Sequence, residues 1–163
     1  MPSTSTTFTP DDIDIEISNL LAKNARQPVS SLTSRIGMSA PGITERIKRL
    51  EEQGVISRYT IEVDLQKLGF TLTSLVRVKP LPGQLHLSEK RLTAMSDCIE
   101  CDKVTGEDCF IIRLVLRSIS DLDEQLNHIV ELTETSGAIV KKSSAPRRLP
   151  ARVRGEISRR SYS

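Results

Sequence analysis

The sequence predicts an α+β chain in two parts, three short helices followed by a βαββαβ array, and three observations predict it. Apolar residues recur at helical spacing through Leu50, the period changes to two from Leu72 onward, and Pro and Gly punctuate the joints between the runs. With 163 residues, 37% hydrophobic and 27% charged, the chain has the balance of a globular protein with one ordinary domain or two small ones. Aromatics are only 3% with no Trp, so the cores must be built from Ile, Leu and Val. A mechanism that stacks several bases on rings is disfavoured for the same reason.

Taken in order, residues 1–9 are Ser/Thr-rich and read as a flexible N-terminal segment. Thr9 can cap a first helix over Pro10 to Lys23, with Pro10 suited to its first position and Asp11 and Asp12 at the positive end of its dipole. Ile13, Ile17, Leu20 and Leu21 supply the apolar stripe, and Pro28 stops the run. A second helix fits Ser30 to Ile36, and Gly37 can turn the chain left-handedly at its end. Ser39 can cap a third, whose Ile43, Ile47 and Leu50 form one stripe. Two helices joined by a tight Gly turn make a helix-turn-helix. The β-branched stretch Val55 to Val63 fits a small strand pair or wing beside it.

In the second half, Leu72 to Lys79, Cys98 to Val104 and Cys109 to Leu116 alternate as strands, with a weakly patterned helix over Ser88 to Ser96. Ser120 and Asp123 resemble a capping box for a helix carrying Leu122, Leu126, Ile129 and Thr133, ended by Gly137. Ala138 to Ser144 makes the last strand. The fold class is therefore a winged helix-turn-helix over 10–63, a linker over 64–70 and a ferredoxin-like βαββαβ domain over 71–144, with a basic tail over 145–163. The strand ending at Leu116 is largely apolar on both faces, interrupted by Arg113, and two helices can cover only one side of the sheet. A homodimer through the other side is the economical expectation.

Three cysteines, an odd set, accompany no secretory signal, and no stretch approaches the roughly 20 apolar residues of a membrane span. Reduced thiols in a cytoplasmic protein are expected. Cys98 and Cys101 spell C-x-x-C, but strand alternation would send them to opposite faces, and no second pair completes a metal site. His86 and His128 belong to no nucleophile or metal motif, so neither an enzyme nor a cofactor is indicated.

The net charge of +2 is small, and its distribution carries more. On a wheel of about 100° per residue, the third helix turns Pro41, Glu45, Lys48 and Glu52 away from its stripe, with Gly42, Thr44 and Arg49 beside them and Arg46 on the flank. Hydroxyl and charged groups there suit a major groove of double-stranded DNA, with Lys48 and Arg49 on phosphate, and the helix mouth can offer amides to phosphate. Pattern alone fits an ordinary surface helix as well. A ligand-binding regulatory subunit of a metabolic enzyme, without DNA binding, is the alternative from another class.

The stretches DDIDIEISNLLAKNAR, MSAPGITERIKRLEEQGVISRYTIEVDLQKLGF and CIECDKVTGEDCFIIRLVL, in this order, resemble the Lrp/AsnC family of feast/famine transcription regulators. The resemblance implies a winged helix-turn-helix joined to an αβ-sandwich that senses an amino acid or related small-molecule effector, in dimers and often octamers. It places Ser39, Ala40, Pro41, Gly42, Thr44, Glu45, Lys48 and Arg49 in the recognition helix and Thr105, Gly106, Glu107 and Asp108 in the effector loop. In TGEDCF, Glu107 stands for the family's usual first Asp, Asp108 for its first aromatic and Cys109 for its second Asp. The loop reads equally as a plain β-turn. Pro146 and Pro150 interrupt strand pairing, so 145–163 reads as an extended tail that adds phosphate contacts or stays without order.

Overall fold

The computed structural model of the chain describes residues 8–145, 147–150 and 153. The expectations for residues 1–7, for Pro146 and for residues 151–152 and 154–163 of the basic tail lie outside them. The chain divides into two units, Met1–Glu62 with Ala145–Ser163, and Val63–Ser144.

The first unit holds three helices, α1 (Asp12–Lys23), α2 (Val29–Ile36) and α3 (Ala40–Glu52). Ile17, Leu20, Leu21, Leu32, Ile43 and Leu50 form their core, with Ile47 and Ile56 packed against it. The cap of α1 is Asp11, two residues beyond the expected Thr9. The reason is a reciprocal capping box: Asp14 N–H donates to the Asp11 carboxylate at 2.8 Å, and Asp11 N–H donates back to Asp14 at 3.2 Å. Helix α2 starts at Val29 behind Pro28, with no side-chain cap. Gly37 closes it in the left-handed region at φ 76°. Val55 to Val63 forms no ladder with any described residue. Ile56 alone of its large apolar side chains packs inward, while Val55, Tyr59, Ile61 and Val63 are exposed.

The second unit is a four-stranded antiparallel sheet, β1 (Leu72–Pro80), β2 (Cys98–Lys103), β3 (Phe110–Leu116) and β4 (Thr133–Ile139), in the order β2-β3-β1-β4. Helices α4 (Leu85–Ala94) and α5 (Ile119–Asn127) cover one face, where Val76, Val78, Phe110, Ile112, Leu114 and Leu116 meet Leu92, Leu122 and Leu126. This is the βαββαβ arrangement. Helix α4 begins three residues before the expected Ser88, which is fully buried.

Three expectations are corrected here. Helix α5 is capped by Ser118 with Asp121, not Ser120 with Asp123, because that pair exchanges both box hydrogen bonds. The chain then turns earlier, so Thr133 opens β4 and Gly137 lies inside the strand opposite Val76. Cys98 and Cys101 share a face: a bulge between Cys98 and Glu100 shifts the register, pairing Cys98 with Leu114 and Cys101 with Ile112, both core residues. Burial raises both thiols above the ordinary cysteine value, which favours the unreactive protonated form.

Candidate functional site

Helix α3 presents two unlike sides. Its inner side is apolar, with Ile43 and Leu50 fully buried. Its outer side carries Ser39, Ala40, Pro41, Thr44, Glu45 and Lys48, all exposed, with Gly42 half-buried. Ser39 caps the helix by accepting from Gly42 N–H at 3.4 Å, and Pro41 occupies the first turn, where a missing N–H costs little. A Cβ on Gly42 would sit 3.2 Å from Met38 Cε and 3.3 Å from Ser39 Oγ. Gly42 therefore gives Ser39 room to cap and Met38 room to pack toward the helical core. With the Gly42 amide taken and none on Pro41, the helix mouth offers fewer free donors than its position suggests. Thr44 Oγ1 donates to Ala40 O at 2.9 Å, while Lys48 and Glu52 form a loose, exposed pair at 3.8 Å.

The two arginines of α3 turn elsewhere. Arg46 Nη1 reaches Asp11 at 2.8 Å and Asp14 at 2.7 Å, and Arg49 Nη2 reaches Asp14 at 3.0 Å. Asp14 is 1% exposed, so its charge is held by these two guanidiniums rather than by water. Arg49 also stacks over the Phe8 ring at 5.1 Å. The Asp14 N–H and the Arg46 guanidinium hold the Asp11 carboxyl below its ordinary value, and Arg46 is pushed up in return. Arg49, expected on the outer side, is thus engaged with α1. Sequence reasoning missed this clamp, although one signal was available: Asp14 lies three residues before Ile17 and seven before Leu21, on the buried stripe, where a lone carboxylate demands a cation.

After α3 the chain is tied back by Ile56 N–H to Leu50 O at 3.1 Å and by Tyr59 OH, which donates to Glu51 at 2.6 Å. Partial burial and that carboxylate push the Tyr59 phenol up to about 12, so it stays a donor at neutral pH.

In the second unit, Thr105, Gly106, Glu107 and Asp108 form the tip of the β2–β3 hairpin. Gly106 sits at φ 118°, open only to glycine without strain, and Cys109 follows at φ 52°. Two cations from β1 face the loop: Arg77 lies 3.9 Å from Asp108 and Lys79 lies 3.8 Å from Glu107. Both contacts are long and exposed. Arg77 and Lys79 come from the sheet side that the helices leave uncovered, together with Leu75, Ile111 and the Arg113–Glu100 pair at 2.8 Å.

A capped helix with a polar outward side, followed by a tied-back segment, together with a separate αβ unit carrying a charged loop, is the build of a two-domain DNA-binding regulator. Comparison with known proteins agrees. Residues 10–57 match the model of winged helix-turn-helix DNA-binding domains, and residues 73–149 match that of the Lrp/AsnC ligand binding domain. The HTH-type transcriptional regulator LrpA of Mycobacterium tuberculosis is 30% identical over 120 residues, which cover 73% of this chain and 80% of that protein. LrpC of Bacillus subtilis, also an HTH-type transcriptional regulator, is 26% identical over 77% of this chain and 87% of its own. The solved structure of B. subtilis LrpC superposes with a TM-score of 0.80 at 24% identity, over 86% of this chain and all of that one, a likeness of fold. A feast or famine regulatory protein from M. tuberculosis, solved in complex with L-methionine, superposes with a TM-score of 0.78 at 27% identity, over 86% of this chain and 97% of that one. The chain belongs to the Lrp/AsnC family of transcriptional regulators. Among the described residues, no helix is long and apolar enough to cross a membrane.

Proposed function

We propose that α3 enters the major groove of double-stranded DNA with Ser39, Ala40, Pro41, Thr44 and Glu45 toward base edges and sugar-phosphate, and Lys48 on phosphate. The observation that carries this is the division of labour on one helix: these side chains are exposed, while Arg46 and Arg49 lock one flank to α1. Arg49 then serves as a positioning residue rather than a phosphate ligand. Acting on chromosomal DNA, the protein works in the cytoplasm, and no residue is given a catalytic role. The test is binding to a duplex from the DNA upstream of its own coding sequence, followed across salt concentrations. Lys48→Ala should weaken binding to every duplex and lower the salt slope by about 0.9, the contribution of one phosphate contact. An unchanged slope would remove Lys48 from the interface.

For the effector, the reading is an amino acid held at the Thr105–Asp108 loop. Arg77 and Lys79 suit its carboxylate, and Glu107 and Asp108 its ammonium; each pair is held so loosely that a ligand can replace it. The L-methionine complex of the M. tuberculosis relative supports an amino acid as the class. The uncovered sheet side with Leu75 and Ile111 supports a homodimer, with octamers as a further assembly. Assembly mass measured with and without a panel of amino acids tests both points. A mass of one chain throughout would contradict the dimer, and a mass and thermal stability that no amino acid alters would contradict the effector site.

A further inference from the structure

Residues 147–150 and 153 lie against the first unit. The Asn19 side-chain amide donates to Val153 O, and Leu149, half-buried, lines the same hollow as Leu21, Ala22 and Ile56. These contacts seat the segment between the end of α1 and the stretch that follows α3. Beside it opens a cleft of about 530 Å³ lined by Lys23, Arg58, Arg147 and Arg148 together with Ser57 and Thr60, and no Asp or Glu is among the described residues that line it. Among the described residues, Lys23, Arg58 and Arg148 enter no ion pair.

We infer that this cleft is a phosphate-binding site, built jointly by the winged unit and the docked tail. Like charges gathered in one concavity raise the local positive potential, and a bound anion relieves their repulsion. Arginine forks match phosphate oxygens in pairs, and the Ser57 hydroxyl can add a neutral donor. The inference rests on the DNA-binding reading for its expected source, the duplex backbone flanking the bases under α3. Arg58 precedes Tyr59, whose hydroxyl bonds Glu51 on α3, so the cleft is tied to the helix that reads the groove. A free phosphorylated metabolite offers the same chemistry.

Two variants of the full chain separate the possibilities. Arg58→Ala/Arg148→Ala removes two cations, and Leu149→Asp keeps every cation while undocking the segment; circular dichroism confirms that each folds. Both are measured on the upstream duplex across salt concentrations, and by calorimetry with inorganic pyrophosphate. A DNA source predicts that the salt slope falls by up to about 2 in the first variant, about 0.9 for each phosphate lost. Leu149→Asp then also lowers the slope, although its charge is more negative by only one. A metabolite source predicts an unchanged slope with pyrophosphate bound by the parent and lost in both variants. Unchanged slopes with pyrophosphate unbound, or bound equally by all three proteins, overturn the site. A fall confined to the first variant overturns the docked tail's part in it. If the parent binds no duplex, the DNA-binding reading itself has failed, and pyrophosphate alone decides the cleft.

Discussion

Two charged regions of this molecule use the same residue types to opposite ends. At the α1–α3 junction, Asp11, Asp14, Arg46 and Arg49 meet at 2.7 to 3.0 Å around a carboxylate that is 1% exposed. At the β2–β3 hairpin, Glu107 and Asp108 face Lys79 and Arg77 at 3.8 and 3.9 Å, and Glu107 is 90% exposed. Burial makes the first set structural, since removing one partner leaves a charge that water cannot reach. Exposure makes the second exchangeable, since water already competes for every partner. Charge alone therefore does not mark a functional site.

The contrast can be broken most forcefully at Arg46. Arg46→Ala leaves Asp14 with Arg49 alone, and should cost about 3 kcal/mol, the low end for an uncompensated buried charge, read as a lower urea midpoint for the first unit. A cost under about 0.5 kcal/mol, the range of ordinary surface substitutions, would mean that Asp14 is hydrated. Next in size, Gly37→Ala should cost roughly 1 to 2 kcal/mol, because φ 76° admits a Cβ only with strain. The clamp should also show in acid. Asp11 has its folded value lowered, so its contribution is present above the ordinary carboxylate value and is lost as pH falls through the lowered one. The stability difference between the parent and Asp11→Asn should therefore shrink on acidification, and a difference that widens would reverse the sign. The smallest effect belongs to the hairpin: Glu107→Gln/Asp108→Asn should change stability by less than about 0.5 kcal/mol while weakening amino-acid binding. Destabilisation as large as that of Arg46→Ala would place the loop with the structural charges.

Much of this was legible in the chain. The Ser39 cap, the left-handed Gly37 and the stripe of Ile43, Ile47 and Leu50 follow from local rules, and all stand in the structure. What escaped was what depends on contacts distant in sequence or on competition between near-equal local signals. Arg49 carries the same charge as Lys48 and differs only in having Asp14 within reach, 35 residues away. Ser118 and Ser120 each have an Asp three residues on, so spacing alone does not choose between them; in the fold it is Ser118 and Asp121 that exchange both hydrogen bonds. The bulge in β2 reversed the facing of Cys98 and Cys101, because one extra residue defeats an alternation counted along the strand. The Val55 to Val63 stretch has strand-forming residues yet pairs with nothing described, since a ladder needs a second segment as much as a willing first one.

The central claim is that the outer side of α3 reads sequence while the clamp only holds it in place. The most direct measurement is the ratio of affinities for the upstream duplex and an unrelated duplex of equal length, compared between the parent and Thr44→Ala/Glu45→Ala at one salt concentration. The account predicts that the ratio collapses toward one while the urea midpoint stays within error. A preserved ratio in a folded variant would contradict it, and would move sequence recognition off this helix.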